Sequence, residues 1–200
     1  PFFRAFGLAR RVEFVTPEIS FAHPLSPADG GSGIAYRDLE RTVDGLGRDG
    51  AAYRRLIAPL ASRAREIARF TGSPLLRVPP HPLVTARFGV RALVQGSAAW
   101  DAPFTGAVAP AMITGVAAHA IAPQPSLVAA AAGLALQTHA HAGGWPIPIG
   151  GSQAISDALA DDLRAHGGEI VLDHEITSLD ELTARAVVLD VTPRALVRLA

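Results

Sequence analysis

Two hundred residues, 49% of them hydrophobic and with a positive mean hydropathy, are enough to bury the core of one domain or one and a half, and they exclude a disordered tail. Eighteen acidic side chains balance eighteen basic ones, all arginine, so no long-range field favours nucleic acid or anionic lipid. The absence of cysteine removes disulfides, thiolate nucleophiles and thiolate metal sites together, and it fits a reducing cytoplasm.

The chain opens on Pro1-Phe2-Phe3, without an initiator Met or the basic-then-apolar pattern of a signal peptide. It ends on the apolar-periodic run Ala195 to Ala200 with no Gly or Pro to stop a helix, so both ends read as cuts inside a longer protein. From 11 to 45, β-branched and aromatic residues (Val12, Phe14, Val15, Ile19, Phe21, Ile34, Tyr36) alternate with the breakers Pro17, Pro24, Pro27 and Gly30-Gly31. That pattern predicts short strands joined by turns. Asp29-Gly30-Gly31-Ser32-Gly33 reads as a hairpin loop whose glycines supply positive φ, ahead of a phosphate cradle.

Past Asp49-Gly50 the period changes, and Ala51 to Phe70 reads as one helix with Tyr53, Leu56, Ile57, Leu60, Ala64, Ile67 and Ala68 on its apolar side. Arg54, Arg55, Arg63, Arg65 and Arg69 form its solvated side. Pro79-Pro80-His81-Pro82 is a rigid break, and a second helix follows from Leu83 to about Gln95, ended by Gly96-Ser97. Pro103 to Ala142 is Ala-rich and almost free of charge, divided by Pro110 and by Pro123-Gln124-Pro125 into at least two helices that must be buried or line something apolar. Ser126 to Gln137 is too short and too Ala-rich to cross a bilayer, which takes about 20 apolar residues.

The segment from Gly143 to Ile170 carries the most information. An extended Trp145-Pro146-Ile147-Pro148-Ile149 leads to a Gly150-Gly151 turn, with Ser152 at the N-cap of a helix over Gln153 to His166 and Gly167-Gly168 just past its end. Strands are expected at Glu169 to Leu172, around Glu175 to Leu179, and at Ala186 to Asp190. The run strand, Gly-Gly, helix, Gly-Gly, strand reads as an α/β element.

The stretch Gly143-Gly144-Trp145-Pro146 through Gly150-Gly151-Ser152, the helix Ala154 to Ala165 and His166-Gly167-Gly168-Glu169-Ile170 resembles the late-middle signature of phytoene dehydrogenase-like FAD-dependent oxidoreductases of the amine oxidase fold group. Ala184 to Pro193 resembles that family's return strand to its nucleotide-binding domain and the Thr-Pro turn after it. The clear match spans about the last third of the chain. It implies an α+β or α/β architecture: a substrate-binding domain of mixed sheet and helices over 1–142, a flavin-facing motif and helix over 143–167, and part of a Rossmann-like FAD-binding domain over 168–200.

The resemblance further implies FAD as cofactor of the full-length protein and a largely apolar, lipid-like substrate. Trp145, Pro146, Gly150, Gly151 and Ser152 would face substrate and flavin, and the backbone of Ile176 would meet the adenine end. Two parts of the family pattern are missing, the G-x-G-x-x-G pyrophosphate loop and the C-terminal flavin-contacting segment, so the fragment alone is expected to bind FAD poorly and to be inactive. The architecture hosts carotenoid desaturation, amine oxidation and other chemistries, so the resemblance leaves the substrate open between desaturase, dehydrogenase and oxidase.

Flavin enzymes ask little of protein acids and bases, since the ring itself accepts the hydride. Among the polar residues of the apolar region, His119, His139 and His141, the candidate proton acceptor is His141, nearest the Gly-Gly-Trp motif. His139 and His141 stand at i and i+2, which do not share a helix face, so no metal site is expected. Trp100 reads as a core filler, Asp157, Asp161 and Asp162 as the polar side of their helix, and Asp190 remains unassigned. The competing readings are a standalone module that binds an apolar ligand or docks a partner without catalysis, and an α/β interaction domain without a ligand. A cytoplasmic location is expected, at most peripheral to a membrane.

Overall fold

The chain is described by a computed structural model covering residues 2–29, 31–74 and 78–200. In chain order its elements are α1 (Phe2–Phe6), α2 (Leu8–Arg11), β1 (Phe14–Val15), β2 (Ile19–Pro24), β3 (Ser32–Tyr36), α3 (Leu39–Gly45), α4 (Gly50–Ala61), α5 (Ala64–Thr71), α6 (Pro82–Gln95), α7 (Val108–Ala117), α8 (Leu127–Ala142), β4 (Ile147–Pro148), α9 (Gln153–Ala165) and α10 (Pro193–Leu199). The class is mixed helix and strand with helices predominating, and the strands make two antiparallel pairs, β1 with β4 and β2 with β3. Glu13–Gly151 form one compact unit; the N-terminal residues through Val12 together with Ser152–Ala200 form another.

In the first unit a helical cluster packs on the β2–β3 hairpin around α8, which touches α4, α5, α6, α7 and both hairpin strands. Ala and Gly dominate α8, and that is what lets so many neighbours approach it. A Cβ on Gly133 would stand 2.8 Å from the Ala117 Cβ and 2.9 Å from its Cα, so α7 and α8 cross at glycine. The core joins Val43, Tyr53, Ile57, Leu60, Ile67, Phe88, Ala92, Ile113 and Leu134. Gly33 and Ala35 are the buried positions of β3, and Gly33 is required by packing, since a Cβ there would run into Met112 of α7. Of the expected glycine loop, Gly31 has φ 81°, while Gly30 lies outside the described residues.

The single helix expected over Ala51 to Phe70 is two, α4 and α5, broken at Ser62 and Arg63. Pro59 explains the weakening: it has no N–H for the Arg55 carbonyl one turn back, which takes an Arg91 guanidinium N–H at 3.5 Å instead. Pro110 does not divide a helix either. It sits in the first turn of α7, where its missing N–H would have had no partner anyway. Asp49, buried at 5% exposure just ahead of α4, accepts hydrogen bonds from the Thr105 N–H (2.8 Å), the Thr105 hydroxyl (2.9 Å) and the Gly106 N–H (2.8 Å). It thereby fixes the turn that launches α7. Burial pushes its carboxyl up, but those donors, with the Arg48 charge, outweigh burial and hold it below the ordinary carboxylate range.

In the second unit, α9 ends as its glycines require. Gly167 takes φ 81°, its N–H reaches the Arg164 carbonyl, and the Gly168 N–H reaches the Leu163 carbonyl, which together make a Schellman motif. The Arg11 guanidinium donates to Asp162 at 2.7 Å, joining α2 to α9. The strands expected at Glu169 to Leu172, Glu175 to Leu179 and Ala186 to Asp190 are not formed. No backbone hydrogen bond is made by the N–H groups of 169–176 or of 186–191 among the described residues. A strand exists only by pairing, and β-prone residues without a neighbouring strand stay merely extended. Of the α/β element expected around α9, the helix and the short strand before it in sequence, β4, are present, but β4 pairs antiparallel with β1 and the strand expected after the helix is not formed.

Candidate functional site

α8 buries three polar residues; Thr138 donates its hydroxyl to the Leu134 carbonyl, while Gln137 and His141, one turn apart, both meet Tyr53 of α4. The Tyr53 hydroxyl lies 2.8 Å from His141 Nε2 and 3.2 Å from Gln137 Oε1. Tyr53 and Gln137 are fully buried and His141 is 8% exposed. Burial raises the Tyr53 hydroxyl pKa far above its ordinary value. Burial likewise lowers the His141 imidazole to about 4, partly opposed by the Tyr36 backbone carbonyl. Both groups are therefore neutral at pH 7.

One hydroxyl proton cannot serve two acceptors. With His141 protonated on Nδ1, towards the Tyr36 carbonyl, Nε2 accepts from Tyr53, and the Gln137 amide satisfies the tyrosine oxygen by presenting its NH2 end. With the opposite tautomer, Nε2–H donates to Tyr53, whose proton goes to Gln137 Oε1. In either arrangement His141 Nδ1 and the outer atom of the Gln137 amide, both buried, have no hydrogen-bond partner among the described residues.

The histidine chosen on sequence grounds thus sits in a buried network, and two of its members, Tyr53 and Gln137, were not singled out. Gln137 carried a usable signal: a polar residue four before a histidine on an otherwise apolar helix shares its face. Tyr53 carried none beyond its apolar periodicity.

Trp145 is half-buried in the same unit, stacked on Phe21 with ring centres 5.3 Å apart and met edge-on by His119, while its indole N–H donates to the Leu136 carbonyl at 3.3 Å. Nearby, His23 has its pKa lowered by burial and by His119, and its buried Nδ1 has no partner among the described residues. Gly144 is held at φ 76° against Thr16. Pro146 is exposed, and so are Gly150 and Gly151, at φ 84° and 88°. A Cβ added to either glycine meets nothing within 4 Å, so they serve the turn and not a close backbone approach. Ser152 stands at the helix start in the second unit but makes no side-chain cap bond, and Ile176 is half-buried in an extended segment there.

His139 is half-buried, and its carbonyl accepts from the N–H groups of Gly143 and Gly144. No group of three metal-ligating side chains occurs among the described residues, and no helix there is long and apolar enough to cross a membrane. For FAD the fit is poor within this chain. The Gly150-Gly151 turn is open and not a cradle that a Cβ would fill, and the Trp145 N–H is already satisfied. Comparisons with protein-family models, curated proteins and solved structures found no match.

A separate feature of the helical unit is a cavity of about 120 Å³ where α6, α7 and α8 meet the 124–126 turn. Its wall is mainly Ile113, Ala117, Ala129, Ala130 and Leu134, with Trp100 and the side chain of Gln95. This is the part of the uncharged, Ala-rich stretch that lines something apolar.

Proposed function

We propose that this chain is part of a phytoene dehydrogenase-like FAD-dependent oxidoreductase, contributing helices that hold a largely apolar substrate and segments of a Rossmann-like FAD-binding domain. The observation that carries the reading is the run Gly143 to Ile170, taken with the return segment Ala184 to Pro193. Two features support it. Val171, Leu172, Val187 and Val188 are solvent-exposed, on backbone that pairs with none of the described residues, as segments belonging inside a larger sheet would be. The Ala-rich helices line a partly open, mainly apolar space.

On this reading FAD would supply the hydride acceptor, with its pyrophosphate held mainly by residues other than those of this chain. Residues of the chain itself orient an apolar substrate and keep water from it. The protein would work in the cytoplasm, at most peripheral to a membrane. The test is to express the complete reading frame and record its visible absorption. A folded protein that retains stoichiometric flavin and bleaches anaerobically with an apolar donor supports the proposal. A folded, colourless protein that takes up no added FAD overturns it, and leaves apolar-ligand binding without catalysis, which the cavity favours, as the function.

A further inference from the structure

We propose that the open face of α6, with the neighbouring side of α4, is a docking surface for an acidic amphipathic helix of a partner protein. This surface is independent of flavin chemistry. α6 is apolar on two opposite sides. Phe88 and Ala92 belong to the core, while Leu83, Val90 and Val94 fall in line on the far side of the helix. Leu83 is 76% and Val90 60% exposed, and Leu93 and Val94 are exposed beside them. A solvent-facing side of a helix is ordinarily polar, and a contiguous apolar stripe rimmed by charge marks an interaction site. Val90 and Val94 also line an open groove of about 280 Å³ between α6 and α4, together with Leu56 and Phe104.

Charge selects the occupant. α4 and α6 carry Arg54, Arg55, Arg87 and Arg91 and no acidic residue, in a chain whose net charge is zero. Arg54 is paired with Glu40 of α3. The other arginines have no carboxylate partner among the described residues. Arg91 donates only to backbone, to the Arg87 carbonyl at 3.2 Å and the Arg55 carbonyl at 3.5 Å. Arg55 and Arg91 stand on the groove itself. An apolar groove edged by unpaired guanidinium groups complements a helix with apolar side chains at i, i+3 or i+4 and i+7, flanked by Asp or Glu. A second copy of this chain fits less well. A two-fold contact through this face would set the arginines against one another, with no acid on α4 or α6 to separate them. A bilayer asks for projecting side chains with Trp, Tyr or Lys at the headgroup level, whereas Val90 and Val94 line a groove and α6 carries none of those residue types.

The experiment uses the protein expressed from the complete reading frame and fluorescently labelled helical peptides long enough to run the roughly 21 Å of α6. One peptide carries a Leu stripe flanked by Glu, a second the same residues in scrambled order, and a third Lys in place of Glu. Vesicles of phosphatidylglycerol and phosphatidylcholine serve as the lipid probe. Anisotropy should show the Glu peptide binding saturably, about tenfold tighter than either control at about 50 mM salt and more weakly at about 500 mM. Arg55→Glu combined with Arg87→Glu alters two exposed side chains that hold no ion pair among the described residues. It should weaken the Glu peptide about tenfold and make the Lys peptide the preferred one, an exchange that misfolding would not produce. Methyl NMR shifts on binding should centre on Leu56, Val90 and Val94. A Glu peptide that binds no tighter than its controls, or shifts centred elsewhere, would overturn the proposal. So would vesicle binding without peptide binding, which would give the face to a bilayer, and self-association that Val90→Glu disperses, which would give it to a second copy. None of these readouts needs bound flavin.

Discussion

Tyr53 places one hydroxyl between His141 and Gln137, both buried on α8, so the tyrosine hydroxyl is the group whose removal leaves most unsatisfied. Tyr53→Phe keeps the ring in the core and strands Gln137 and His141. It should lower stability by about 1–3 kcal/mol in chemical denaturation, and a cycle with His141→Leu should show the two changes to be less than additive. His141 also gives the fold a pH dependence with a definite sign. Its folded pKa of about 4 lies below the ordinary 6.5, so between those values the unfolded chain takes up a proton that the folded chain refuses. Stability is full above about pH 6.5 and falls as pH drops toward 4, by at most about 3 kcal/mol. Urea midpoints at pH 7 and 4.5 check this, and in His141→Leu the difference should largely vanish. Asp49 acts in a lower window, since its depressed carboxyl stabilises the fold above the ordinary carboxylate pKa and loses that effect as pH falls through the folded value.

Elements here are placed by a few specific contacts more than by propensity. Asp49 joins the start of α4 to the turn before α7 through three donors, so Asp49→Ala should cost about 3 kcal/mol and Asp49→Asn distinctly less, because the amide keeps one acceptor. Gly133→Ala replaces a poor helix former by the best, a gain of about 1 kcal/mol by propensity alone. The new methyl would press on the Ala117 backbone, so a net loss of about 1–3 kcal/mol is expected, read as a lowered Tm. Had propensity decided, the variant would melt higher. The sequence places the end of α9 one residue late, at His166, just before Gly167-Gly168, while the helix boundaries at Gln95 and Ala142 were legible because Gly96 and Gly143 follow directly. The division between α4 and α5 was not, since apolar periodicity continues across it and Pro59 weakens the helix without ending it at its own position.

At the scale of the whole molecule the two units differ in how well they are buried. The first has a contiguous core; in the second, α9 and α10 bury no residue fully. Amide hydrogen exchange should show this directly, with α8 protected by orders of magnitude and 169–176 and 186–191 exchanging at the earliest time points. In the complete protein, if those segments join a sheet as proposed, they should become protected, and continued fast exchange there would count against that assignment.

Sequence alone determined the uncharged Ala-rich helices, the break at 79–82, the α9 helix with its glycine stop and the mixed helix-and-strand character, because each is written in local periodicity or in residues with restricted backbone geometry. Only the tertiary structure decided that Tyr53 and Gln137 lie against His141, that β1 pairs with β4 more than 130 positions away, and that Gln95 Oε1 has no hydrogen-bond partner among the described residues. Those outcomes depend on which elements lie beside one another. Strand pairing and buried polar contacts are settled between distant segments, and no periodicity within one segment encodes its partner.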